Sequence, residues 1–154
     1  MAVPRLHLYQ HHPAASSELM AEWEKQANAA LPHCVAAACA EDAPLHELEE
    51  IEISLITDEA IAQVHADFLN DPTPTDVITF HHGEILVSLD TAQREAPHHG
   101  ETFARESLLY MIHGLLHLGG WEDHDPEERA QMHALQGQIL DQVYPQAGTK
   151  IQRP

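Results

Sequence analysis

The sequence predicts a single α+β domain over 1–154, and three observations predict it. Two short stretches alternate apolar and polar residues, Arg5–Tyr9 and Glu49–Ile56, and each is followed by a helical stretch with a capping residue at its start. Two more short apolar stretches flank His81-His82-Gly83 and read as a hairpin. The rest of the ordered chain carries helical periodicity, and 154 residues suffice for one domain with a real core.

Taken in order, Leu6 and Leu8 make Arg5–Tyr9 a first strand. Ser16 or Ser17 caps a helix from Glu18 to Leu31, with Leu19, Met20, Trp23, Ala27 and Leu31 inward. Pro32 suits the first position of a second helical piece running through Cys39. Cys34 and Cys39 lie in an Ala-rich stretch and read as small core residues, with no disulfide or metal role. Glu41 to Pro44 is a connector. Ile51, Ile53 and Leu55 alternate in the second strand. Thr57 caps a helix through Leu69 whose stripe is Ile61, Val64, His65 and Phe68. Asn70-Asp-Pro-Thr-Pro is a rigid turn, and Thr75 and Asp76 lead into the strand Asp76–Phe80. Glu84–Leu89 is its partner. Asp90 starts a short helix ending near Ala96. Asp125, Pro126 and Glu128 stand at N-cap, N1 and N3 of a last helix to Val143, with Met132, Leu135, Ile139 and Val143 inward.

The stretch from Arg105 to His124 carries the chemistry. It is an apolar helix up to Leu118, ended by Gly119-Gly120. His113 and His117 are four apart and leave the same helix face, one turn from each other. Fourteen His in 154 residues give roughly one H-x-x-x-H pair by chance, and His7 with His11 is such a pair. The His113 pair differs in context. Two imidazoles on an apolar helix need partners if buried, and a turn then brings Asp123 and His124 back toward them. Three donors with an open position is the layout of a catalytic zinc site. Gly114 stands where the metallopeptidase H-E-x-x-H motif has its Glu, which argues against a peptidase. Mid-helix Gly costs about 1 kcal/mol relative to Ala, so a close approach by a substrate or a strand would account for it.

His113-Gly-Leu-Leu-His117-Leu-Gly-Gly120, followed by Trp-Glu-Asp-His, resembles the H-G-x-L-H-L-x-G-[YFW]-D-H signature of the YbeY endoribonucleases. Pro74-Thr-Asp-Val-Ile-Thr-Phe80 is similar to that family's P-T-[DN]-V-L-S-F, and Gly83-Glu-Ile-Leu-Val-Ser88 to its G-D-I-x-I-[SC]. The three blocks fall in the family's order and cover roughly Ile51 to Tyr144. The resemblance implies a four-stranded mixed sheet packed with about five helices, the metal helix lying on the sheet. It implies one YbeY-like metal-dependent domain over 1–154, with 1–4 and 146–154 as loose tails. It also implies a metal-dependent, single-strand-specific endoribonuclease of ribosomal RNA maturation, at the 16S 3′ end, and of ribosome quality control. One Zn²⁺ and partners in ribosomal RNA and the small ribosomal subunit with its proteins follow from it.

Three departures from the family pattern matter. Counted without gaps from His117, the family's third His falls on Asp123, which makes His113, His117 and Asp123 the ligand set; a turn one residue longer would deliver His124 instead. Asp123 in that case would orient a His ligand. The family's Arg before P-T-[DN]-V has no counterpart, because no Lys or Arg occurs between Lys25 and Arg94. Arg105 or one of His81 and His82 could stand in for it, or nothing does; Arg105 reads first as a surface ion-pair residue. Glu84 replaces the family's Asp in the third block, keeping the charge on a longer side chain.

A net charge of −18 with seven Lys plus Arg excludes broad electrostatic nucleic-acid binding, and no DNA partner is expected. No stretch approaches the ~20 apolar residues of a membrane span, and no basic-then-apolar leader is present, so no membrane partner and a cytoplasmic location are expected. A non-catalytic metal-binding ribosome-assembly factor is the rival reading, favoured by the missing Arg and the acidity. A His-rich metal buffer would explain the composition but not the three blocks.

Overall fold

A computed structural model describes residues 3–146. Two parallel strands, β1 (Arg5–Gln10) and β2 (Glu50–Ile56), are joined by α1 (Ser17–Ala37), since parallel neighbours require a long crossover. The helix α2 (Asp58–Leu69) then leads to β3 (Val77–Phe80), which turns back as a hairpin into β4 (Glu84–Ser88). β4 inserts beside β2 in parallel, giving the order β1-β2-β4-β3 with β3 antiparallel at an edge. α3 (Leu89–Glu95), α4 (Phe103–Leu118) and α5 (Pro126–Val143) complete the domain. The four-stranded mixed sheet with five helices is the expected architecture.

Period-two alternation divides the sheet's side chains between two cores. Ile51, Ile53, Leu55, Ile85 and Val87 join the large core under α1, α4 and α5. Ile56, Ile78 and Leu86 face the other way and meet Ile61 of α2. α4 is buried along most of its length and crosses the sheet so closely that a Cβ on Gly114 would stand 2.8 Å from Ile85 Cγ2. The close approach that this glycine called for is therefore to a neighbouring strand.

Several local expectations are corrected. Pro32 does not open a second helix; α1 runs through it without a break. The lost backbone hydrogen bond is offset by the full burial of Leu31 and Cys34 beside it, about 1.5–3 kcal/mol for a leucine. Cys34 is buried as expected, but Cys39 lies past the helix end and is exposed. Phe68 is not part of the α2 stripe; Ile61 alone is fully buried there and Phe68 is 69% exposed. α3 starts at Leu89, one residue before the expected Asp90, and Ser88 caps it, its hydroxyl accepting from Thr91 N. The Glu41–Pro44 connector continues into a 3-10 turn at Pro44–His46 that buries Leu45. The caps at Ser16, Thr57 and Asp125 stand where expected. At the chain ends, Pro4 is buried and Gln146 Nε2 donates to Glu101; the other positions expected as tails lie outside the described residues, apart from the exposed Val3.

Candidate metal centre

The site is built at the C-terminal end of α4. Thr102 caps the helix start, and eleven of its sixteen residues are buried, which fixes its rotation and puts His113 and His117 on the rim of a cleft. Gly119 and Gly120 end it. Gly120 has φ +97°, where a side chain would be strained, and a Cβ would stand 3.1 Å from Ala40. The turn is tied to the end of α1 by Cys39 N to Gly119 O (3.0 Å) and by the Trp121 indole to Ala37 O (2.9 Å). These anchors aim Asp123 back at the two rings.

The two Nε2 atoms stand 3.0 Å apart. Asp123 Oδ2 is 3.4 Å from His113 Nε2, and Asp123 Oδ1 is 3.9 Å from His117 Nε2. The outer nitrogens decide what the inner ones present. His117 Nδ1 faces Trp121 O at 2.9 Å, and a carbonyl only accepts, so Nδ1 carries the proton. Gln136 of α5, with its amide oxygen toward the ring, accepts from His113 Nδ1 at 2.8 Å. With both rings neutral, the two Nε2 atoms would present lone pairs to each other and to a carboxylate. Such a set is unsatisfied without a cation. Burial, to which His117 adds, holds His113 below the ordinary histidine range despite the Gln136 bond, so a proton is a poor candidate. A metal ion fits better. Tetrahedral ligands about 2.0–2.1 Å from zinc stand roughly 3.3 Å from one another, and the observed separations bracket that value. Among the described residues, these three form the group whose ligand atoms come together closely enough to hold an ion.

His124 lines the same cleft but is not one of the converging donors; its Nε2 is 2.8 Å from Glu122 and its side chain 78% exposed. Asp76, read from sequence as a turn residue, lines the cleft on both sides of His113. Gln136 was not anticipated. Its signal was a polar residue on the otherwise apolar inward stripe of α5, four residues after Met132.

The cleft holding the group encloses about 460 Å³ and runs along the edge strand β3, with Val77, Ile78 and Thr79 on one wall and His65, Leu69 and His81 beside them. His82 lies outside it, with Nε2 3.2 Å from Glu84, and Glu84 in turn stands at the far end of β4. Arg105 is corrected: it is no surface residue. Its guanidinium is buried and held by Glu101, Asp141 and the Tyr144 carbonyl. Among the described residues no Lys or Arg lines this cleft, though Arg105 lines the adjoining cavity that shares Asp76, His113 and Asp123 with it.

An α+β domain with paired imidazoles on a buried helix, and a carboxylate returned to them by a glycine turn, defines a protein class built around one candidate metal centre. The chain belongs to the YbeY family: the family model described as Endoribonuclease YbeY matches residues 9–144. It is 35% identical over 129 residues to the Endoribonuclease YbeY of Heliobacterium modesticaldum, covering 69% of this chain and 77% of the relative. It is 30% identical over 138 residues to that of a Synechococcus species, covering 80% and 81%. The solution structure of TM1509 from Thermotoga maritima shares the fold, with TM-score 0.58 and 22% identity over 90% of this chain and 89% of that one. No helix among the described residues is long and apolar enough to cross a membrane.

Proposed function

We propose that this protein is a metal-dependent, single-strand-specific endoribonuclease. In this reading it holds one divalent ion, zinc, through His113, His117 and Asp123, and acts in the cytoplasm on ribosomal RNA, at the 16S 3′ end, in the setting of the small ribosomal subunit and its proteins. The observation that carries the reading is the convergence of His113 Nε2, His117 Nε2 and the Asp123 carboxylate, 3.0 to 3.9 Å from one another, in a chain of the YbeY family.

A divalent ion held by His113, His117 and Asp123 would supply Lewis-acid polarisation of a phosphoryl oxygen and a more acidic water. The chain's own residues do the rest. Gln136 and the Trp121 carbonyl hold the rings in the tautomer that turns Nε2 inward. Burial keeps His113 neutral and therefore able to donate its lone pair. Asp123 faces both rings and brings negative charge to the group. His81 and His124 are the exposed imidazoles on the cleft wall and can donate to phosphate oxygens. The cleft runs along the edge strand β3, and a single RNA strand is the substrate this reading places in it.

One observation favours the rival, a non-catalytic metal-binding assembly factor. Arg105, the candidate phosphate clamp, is buried and held by Glu101, Asp141 and the Tyr144 carbonyl, and a clamp of that kind is worth about 3 kcal/mol. The two readings separate when wild type and His113→Ala are incubated with naked single-stranded RNA and with small ribosomal subunits, with and without chelator. Chelator-sensitive cutting by wild type alone, stronger on the subunits, is expected, because positioning by a particle replaces lost binding energy. No cutting of either substrate would leave the assembly factor. Equal cutting by both proteins would point to a contaminating nuclease.

A further inference from the structure

Phe68 and Leu69 close α2 side by side, 69% and 59% exposed, although the helix already has its core contact in Ile61. The Phe68 ring meets Phe80 edge to face, with centroids 5.4 Å apart, and Phe80 in turn stacks on His82 at 5.5 Å and 17°. Leu69, Thr79 and His81 line the cleft that holds His113, His117 and Asp123, and Phe68, Phe80 and His82 are their chain neighbours, so the aromatic row borders that cleft from outside it. The acidity of the chain leaves little of the usual electrostatic source of RNA affinity. The chain carries −18, and among the described residues no Lys or Arg lines the cleft. Aromatic and imidazole faces bind unpaired bases by stacking, without needing phosphate neutralisation and with little regard to base identity.

We propose that Phe68, with Phe80 and His82, forms a stacking platform for unpaired RNA bases, which leads a single strand into the cleft. The proposal rests on the endoribonuclease reading for its substrate class. Phe68 is exposed and outside the core, so its side chain can be changed without opening the core.

The test uses the full-length, zinc-loaded protein and a fluorescein-labelled oligoadenylate of about eight nucleotides, the length range one binding groove covers, read by anisotropy. Phe68→Ala is expected to weaken binding roughly tenfold, and Phe68→Trp to restore or exceed wild type. Phe68→Leu is expected to bind as weakly as Phe68→Ala, because it keeps apolar area without a π face. An abasic oligomer of the same length should bind wild type and Phe68→Ala alike. Unchanged affinity in Phe68→Ala, or no binding by wild type, would overturn the platform. Phe68→Leu equal to wild type would also overturn it, and would mark the patch as an apolar docking face for a protein. Phe68-dependent binding without any cleavage would keep the platform and remove the nuclease reading. Cleavage and binding that both ignore Phe68 would do the reverse.

Discussion

Gly114→Ala tests how the metal helix is held on the sheet. A Cβ built at Gly114 stands 2.8 Å from Ile85 Cγ2, 3.0 Å from Ile85 Cδ1 and 3.1 Å from Thr79 Oγ1. Carbon pairs rest at about 3.5–4.0 Å, so the overlap is on the order of 0.5–1 Å. Ile85 cannot swing away, because it is fully buried in a strand paired on both sides. Overpacking of this kind costs about 1–3 kcal/mol, while Ala gains about 1 kcal/mol of helix propensity over Gly. The net expectation is a loss of about 1 kcal/mol, against a gain of that size were the site open. Urea unfolding in the presence of chelator reads it without the contribution of a bound ion. A double-mutant cycle with Ile85→Ala isolates the clash: that change alone costs about 2–5 kcal/mol, and the pair should couple favourably by about 1–2 kcal/mol. A Gly114→Ala protein as stable as wild type, or strict additivity in the cycle, would refute the reasoning.

The third donor is settled by metal affinity: Asp123→Ala should lower it about tenfold or more, while His124→Ala stays near wild type; a greater loss in His124→Ala would reverse the assignment of the turn. Arg105→Ala should destabilise by roughly 3 kcal/mol in thermal or urea unfolding, because Glu101 is left nearly buried without its partner, with little contribution from the exposed Asp141 side. A normally folded Arg105→Ala that loses only RNA cleavage would instead make this residue the phosphate clamp. At Asp58, partial burial works to raise the pKa, but hydrogen bonds from Ser88, Thr91 and Arg94 outweigh it and hold the carboxyl below the usual aspartate range. A depressed folded pKa stabilises the protein above the unfolded value, and the stability is lost as pH falls through the folded one. The stability gap between wild type and Asp58→Asn should therefore be full at pH 6 and shrink below about pH 4; a gap independent of pH would show that the carboxylate charge contributes nothing.

Local features were legible because local physics writes them. The caps at Ser16, Thr57 and Asp125, the hairpin around Gly83 and the four-residue spacing of His113 and His117 each depend on residues within one or two turns. The glycine at 114 even announced a close contact, though not which strand would make it. Pro32 was misread because helix propensity is weighed against burial, and the burial of Leu31 and Cys34 exists only once α1 lies on α4. Arg105 was misread for the same reason: a cation looks exposed until the end of α5 brings Asp141 and the Tyr144 carbonyl to it. Gln136 and the Trp121 carbonyl, which orient the two rings, come from a helix 23 residues away and from the turn that Ala37 anchors. The sequence by itself determined which donors the chain owns and how the two imidazoles are spaced. Tertiary structure decided which way each ring turns its lone pair, because that depends on acceptors supplied by other parts of the fold.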